Sequence, residues 1–125
     1  MNTPANLKYT KSDEWFDPSN GKVGLTDFAQ GQLSDIVFVE ILVAVGDTVA
    51  VGTPIASVES VKAAAETYSP VSGKVVAVND GLAAGPEILN AEPFGAAWMI
   101  QVEGADGAGM LDAAAYEKDC EGRAH

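Results

Sequence analysis

Short runs of β-branched and aromatic residues alternate along this chain with 13 glycines and 6 prolines, spread evenly from end to end. That pattern predicts many short strands joined by turns. Candidate strands fall at 15–16, 23–25, 36–42, 54–58, 64–68, 73–78 and 98–102. Two segments predict helices instead. One spans about 27–33, where Thr26 or Asp27 can cap and Gln30 follows Asp27 by three. The other spans about 113–119, with Asp112 as N-cap and three alanines inside. Ahead of it, Gly104-Ala105-Asp106-Gly107-Ala108-Gly109 reads as a flexible connector. Its spacing is not that of a dinucleotide fingerprint, and it is acidic where a phosphate would sit. A short internal echo, Gly21-Lys22-Val23 and Gly73-Lys74-Val75, opens two strands. It suits two related sheets packed face to face as a β-sandwich.

Length narrows this to one domain over residues 1–125, with a C-terminal helix at about 112–119 and a flexible tail. A chain of this size buries roughly two-thirds of the surface its unfolded form exposes, so a true core is available. Asp and Glu outnumber Lys and Arg 18 to 7, a net charge of −11. Such a surface repels phosphate backbones and anionic lipid, which removes nucleic acid and membrane as partners and favours proteins with basic faces. The single cysteine, Cys120, permits no internal disulfide, which points to a reducing compartment. The N-terminus lacks a signal or transit pattern and no apolar run is long enough to span a bilayer. The expected location is the cytoplasm of a bacterium, or the mitochondrial matrix if a transit peptide has been removed.

Catalytic chemistry finds little support. The one histidine, His125, is the last residue, where fraying is the default. No Cys/His cluster offers a metal site, and no nucleophile has a base near it in sequence. One segment stands apart: Val58-Glu59-Ser60-Val61-Lys62-Ala63-Ala64-Ala65-Glu66-Thr67-Tyr68-Ser69-Pro70. Of six lysines, Lys62 alone sits between two candidate strands with a carboxylate three before it and one four after it. Taken alone, an exposed turn lysine usually does no more than solubilise. Turns at 45–49 and 52–55 before the first strand, and at 69–75 after the second, frame a hairpin with Lys62 at its tip.

This pattern resembles the biotinyl/lipoyl carrier family, in which a hairpin lysine receives a cofactor in amide linkage. Biotin acceptors usually flank that lysine with methionines, whereas Val61 and Ala63 flank Lys62. Lipoyl domains of 2-oxoacid dehydrogenases usually carry Asp-Lys-Ala. The stretch Glu59-Ser60-Val61-Lys62-Ala63 is similar to the signature of glycine cleavage H proteins. The likeness continues through Leu7-Lys8-Tyr9-Thr10, Glu14-Trp15, 24–30, 35–40, Pro86-Glu87-Ile88-Leu89-Asn90, Pro93-Phe94-Gly95, Trp98-Met99-Ile100 and Tyr116-Glu117-Lys118. The chain departs from the family at Asp13 (usually histidine), Ser34 (usually glycine), Ala97 (often glycine) and 41–45, which lacks a proline.

The resemblance implies an all-β barrel-sandwich hybrid, a lipoyl-domain-like β-sandwich with short peripheral helices. It implies a carrier rather than an enzyme, with lipoic acid covalently attached to Lys62. Such an arm takes an aminomethyl group from the pyridoxal-phosphate glycine decarboxylase and gives it to a tetrahydrofolate-dependent aminomethyltransferase. Dihydrolipoamide dehydrogenase then reoxidises it, and a lipoate ligase or lipoyltransferase attaches it in the first place. The family folds the loaded arm into a surface cleft, and a small cation there needs acceptors. Ser12, Glu14 and Glu66 are the candidates. An H-like lipoyl relay protein, a biotin carrier subunit and an unmodified partner-binding β-sandwich remain alternatives.

Overall fold

The computed structural model describes residues 2–123. In chain order the elements are β1 (Lys8–Tyr9), β2 (Glu14–Phe16), β3 (Lys22–Leu25), α1 (Asp27–Leu33), β4 (Ile36–Ile41), β5 (Thr48–Val49), β6 (Pro54–Ser60), β7 (Ala64–Tyr68), β8 (Gly73–Val78), α2 (Gly81–Ala84), α3 (Ile88–Ala91), β9 (Ile100–Glu103) and α4 (Ala113–Arg123). All strand pairs are antiparallel. They form a six-stranded sheet in the order β1-β2-β3-β9-β8-β5 and a three-stranded sheet in the order β4-β6-β7. The expected all-β sandwich with short helices is therefore what the chain forms.

The Gly-Lys-Val echo has a different meaning from the one expected. Its two copies do not open one strand in each sheet. They open β3 and β8, the two strands that flank β9 in the same sheet. A Cβ on Gly21 would lie 2.1 Å from the Val102 carbonyl oxygen, and one on Gly73 would lie 2.5 Å from that of Glu103. Both glycines are required by close backbone approach to the end of β9, from opposite sides.

The inward faces of the two sheets enclose the main core, including Val23, Val39, Ile55, Val58, Val75, Leu89 and Ile100. A second cluster, Leu7, Tyr9, Trp15, Tyr116 and Cys120, joins α4 to the β1–β2 edge. There the Tyr9 and Tyr116 rings stack at 4.8 Å between centroids. The Trp15 indole N–H donates to the Pro93 carbonyl at 2.9 Å.

Several boundaries differ from expectation. The two-residue strands β1 and β5 and the one-turn helices α2 and α3 are too short to leave a periodic signature. β9 starts two residues later than residue 98, because the Asn79 side chain claims the carbonyls of Ala96 and Trp98. β4 ends one residue before 42, giving way to a turn in which the Ala44 N–H donates to the Asp47 carboxylate. α4 continues to Arg123 rather than ending at 119, since Cys120 is buried and Arg123 is tied to Asp119 and Asp13. The remaining tail, with His125, lies outside the described residues. α1 matches its expected span, with Thr26 Oγ1 capping the Ala29 N–H at 3.2 Å.

Candidate functional site at the Lys62 hairpin

β6 and β7 pair in register through Glu59 opposite Ala64, leaving Ser60-Val61-Lys62-Ala63 as the turn. Ser60 builds that turn almost alone. Its backbone N–H donates to the Ala63 carbonyl at 2.8 Å, and its Oγ accepts from the N–H of Ala63 at 3.0 Å and of Lys62 at 3.3 Å. The Val61 N–H donates to the Asp35 carbonyl at 3.1 Å, which anchors the tip to the chain entering β4. Lys62 is exposed, and its ammonium makes no ion pair among the described residues. A lysine held this way is a free amine on a rigid stalk, open to an acylating active site.

β7 runs from that tip toward two neighbouring cavities. The nearer, about 170 Å³, is bordered by Ala65, Glu66 and Thr67 of β7, by Leu33 of α1 and by Asp13. The farther, about 390 Å³, is bordered by Tyr68, Ser69, Val51, Thr10, Ser12 and Glu14. Of the three residues singled out in the sequence, Ser12 and Glu14 share a wall, whereas Glu66 is exposed and borders the adjacent, smaller cavity.

Glu14 is only 1% exposed. Its Oε1 accepts from the hydroxyls of Ser12 at 2.7 Å and Thr10 at 2.8 Å. Its Oε2 is buried without a hydrogen-bond partner. Burial raises the Glu14 carboxyl above its ordinary range. The Ser12 and Thr10 hydrogen bonds pull it back down in part, and the Tyr68 backbone N–H adds a weaker attraction without completing a hydrogen bond. A desolvated carboxylate with one oxygen unpartnered is costly alone and favours a cationic donor. Thr67 Oγ1, in the wall of the smaller cavity, is likewise buried without a partner.

Thr10, Thr67, Tyr68 and Asp13 escaped the sequence reading as members of this region. Thr67 and Tyr68 stood in the singled-out segment, Thr10 in the family likeness and Asp13 among the departures from it, but none of them was linked to this wall. Among the described residues no group of three His, Cys, Asp or Glu side chains could hold a metal ion. No helix there is long and apolar enough to cross a membrane.

Comparison with known proteins bears directly on this geometry. The family model described as "Glycine cleavage H-protein" matches residues 7–122. A glycine cleavage system H protein from Nitratidesulfovibrio vulgaris is 47% identical, with all of both chains covered. One from Listeria monocytogenes is 49% identical over 94% of this chain and 98% of its own, and one from Deinococcus deserti is 48% identical over 94% and 97%. The crystal structure of a glycine cleavage system H protein from Mycobacterium marinum superposes with a TM-score of 0.82 at 34% identity, covering 92% of this chain and 96% of that one. The match takes in the Lys62 hairpin, β7 and the Glu14 wall together, and this chain belongs to the glycine cleavage H-protein family, a family of lipoyl carriers.

Proposed function

We propose that this chain is the lipoyl carrier of a glycine cleavage system, non-catalytic in itself, with lipoic acid attached in amide linkage to Lys62. The observation that carries the reading is the exposed Lys62 at the tip of a turn that Ser60 closes, inside the family's Glu59-Ser60-Val61-Lys62-Ala63 match. When bound, the lipoyl group supplies a dithiolane that carries the aminomethyl unit of glycine from glycine decarboxylase to the aminomethyltransferase, with dihydrolipoamide dehydrogenase restoring its oxidised form.

The chain's own residues supply presentation and protection. The β6–β7 pair holds Lys62 clear of the core, so whatever is attached there reaches a docked active site at high local concentration. Acylation removes the lysine charge and makes the chain one unit more acidic than −11, which favours basic docking faces on its partners. Small side chains at Ala63, Ala64 and Ala65 leave room for an arm to fold back along β7. The apolar Leu33 and Ala65 in the smaller cavity suit a hydrocarbon chain, and the unpartnered Oε2 of Glu14 in the wall of the larger one is free to accept a hydrogen bond from a small ammonium. The Ser12 hydroxyl steadies Glu14, and Glu66 adds negative charge at the cleft mouth. These residues fit a lipoyl arm with a cationic cargo. The cytoplasm, where a lipoate ligase or lipoyltransferase acts on Lys62, is the expected setting.

Incubating the protein with a lipoylating enzyme and lipoate tests this. The added mass should be lipoyl, not biotinyl, and should map only to the peptide containing Lys62. A Lys62→Arg chain should take up none. Lipoyl mass on another lysine, or glycine cleavage supported by Lys62→Arg, would remove the assignment.

A further inference from the structure

Among the described residues, Asp13 and Ser34 are the non-glycine residues with positive φ, at 73° and 68°. Asp13 lies between Ser12 and Glu14, and its whole polar complement is spoken for. Its backbone N–H donates to the Thr10 carbonyl at 3.2 Å, and its carbonyl accepts from the Thr26 N–H at 3.0 Å. Its carboxylate receives everything else from α4, more than a hundred residues away. Oδ1 accepts from the Tyr116 hydroxyl at 2.9 Å and from Arg123 Nη2 at 2.6 Å, and Oδ2 accepts from Arg123 Nη1 at 3.2 Å. Arg123 is fixed in turn by an ion pair to Asp119 at 3.0 Å and by its seat over the Phe28 ring at 4.9 Å. The Tyr116 hydroxyl also meets Thr26 Oγ1, the cap of α1, at 2.6 Å.

A planar guanidinium fork on a carboxylate sets orientation as well as charge. It grips a residue in left-handed backbone, a conformation that residues with side chains adopt rarely and that Asp tolerates better than most. Released, residue 13 would keep only its backbone bonds to Thr10 and Thr26, and its neighbours on either side would be held less firmly. Those neighbours, Ser12 and Glu14, meet at Glu14 Oε1, where the Thr10 hydroxyl also donates. The same grip pairs the Asp13 carboxylate with a cation, whereas Glu14 Oε2 next to it stays buried without a partner.

We propose that Arg123 and Tyr116 of α4 clasp Asp13 and thereby position Ser12 and Glu14 in the wall of the arm-receiving cleft, Arg123 acting as a positioning residue through Asp13. The proposal rests on the reading that this cleft receives the loaded arm, and its test separates the two.

In the full-length, unlipoylated protein, the Glu14 carboxyl is titrated by NMR in wild type, Arg123→Gln, Arg123→Lys, Asp13→Asn and the Asp13→Asn/Arg123→Gln double variant. Loosening the loop lets water reach Glu14, so its midpoint falls toward the ordinary carboxylate range in Arg123→Gln. It falls partway in Arg123→Lys, which keeps the charge and loses the fork. The double variant falls no further than Asp13→Asn alone. An electrostatic role for Arg123 has the opposite sign, because an unpaired Asp13 anion would push Glu14 up. A midpoint that rises or stays put in Arg123→Gln overturns the clasp. Ammonia release is then timed from lipoylated protein charged with the glycine-derived unit and freed of the transferase. Glu14→Ala and Arg123→Gln should both release it severalfold faster than wild type, Arg123→Gln no faster than Glu14→Ala. Acceleration in Glu14→Ala but not in Arg123→Gln overturns the clasp. No acceleration in Glu14→Ala removes the docking reading, and the titration still decides the clasp.

Discussion

The two ends of β7 solve opposite problems. At one end, the Lys62 tip is assembled by neighbours in sequence, chiefly one serine, and its side chain is exposed, with no ion pair among the described residues. At the other, the wall around Glu14 is held by residues from the β1–β2 loop, α1, β7 and α4, and its carboxylate is buried. In the function proposed above, the tip hands its side chain to several enzymes and gains from being unencumbered. In the same proposal the wall excludes water and meets a cation, and it gains from being over-determined, because preorganised groups cost little to arrange on binding. The tip should therefore tolerate substitution without loss of fold, and the wall should not.

The sharpest way to break this contrast is Trp15→Ala, next to Glu14. Trp15 is 2% exposed and its indole N–H is bonded to Pro93. Its removal should cost about 3–5 kcal/mol in urea unfolding. A cost near that of a surface substitution would mean the wall is far looser than its contacts indicate.

Ser34, which follows Gln32 and Leu33 at the end of α1, sits at φ 68° and ψ −148°, a region that suits glycine alone. Asn90 holds it there, donating to the Ser34 carbonyl at 2.8 Å and accepting from the Ile36 N–H at 2.9 Å. Ser34→Gly should raise unfolding free energy by about 1 kcal/mol, strain relief outweighing the entropy of the added glycine. A loss of stability would show that the serine is unstrained.

Glu14→Gln sharpens the comparison through pH. The folded-state carboxyl titrates above its unfolded value. Its contribution is therefore fully present below the unfolded midpoint, roughly pH 4.3, and is lost as pH rises through the folded midpoint. Thermal melts should show wild type losing ground to Glu14→Gln between mildly acidic and neutral pH. A constant gap would mean Glu14 is as hydrated in the fold as in the unfolded chain. The smallest effect belongs to the tip: Lys62→Ala should shift unfolding free energy by no more than about 0.5 kcal/mol. A loss of several kcal/mol would mean Lys62 packs against the fold.

The same contrast governs what could be read from the chain. The spans of β7, β8 and α1 follow from local pattern and agree residue for residue with the structure. Lys62 stands out by its place between two candidate strands with a carboxylate on either side. The cleft left weaker marks. Ser12 and Glu14 entered as candidates through the family likeness, and Glu66 entered with them although it borders the smaller cavity. The partners that bury Glu14 and clamp Asp13 lie too far away in sequence for spacing to connect them.

By itself, then, the sequence determined the hairpin, its exposed lysine, the capped first helix and the acidic character of the surface, because each rests on turn chemistry, periodicity or charge within a few residues. Tertiary structure alone decided that the two Gly-Lys-Val strands embrace the same β9, that α4 reaches on to Arg123, and that Glu14 is buried with one oxygen unpartnered. Those outcomes depend on which distant surfaces exclude water from one another. Burial is a property of the packed whole, and a carboxylate has no means of signalling from its own neighbourhood that a helix a hundred residues later will hold the loop beside it in place.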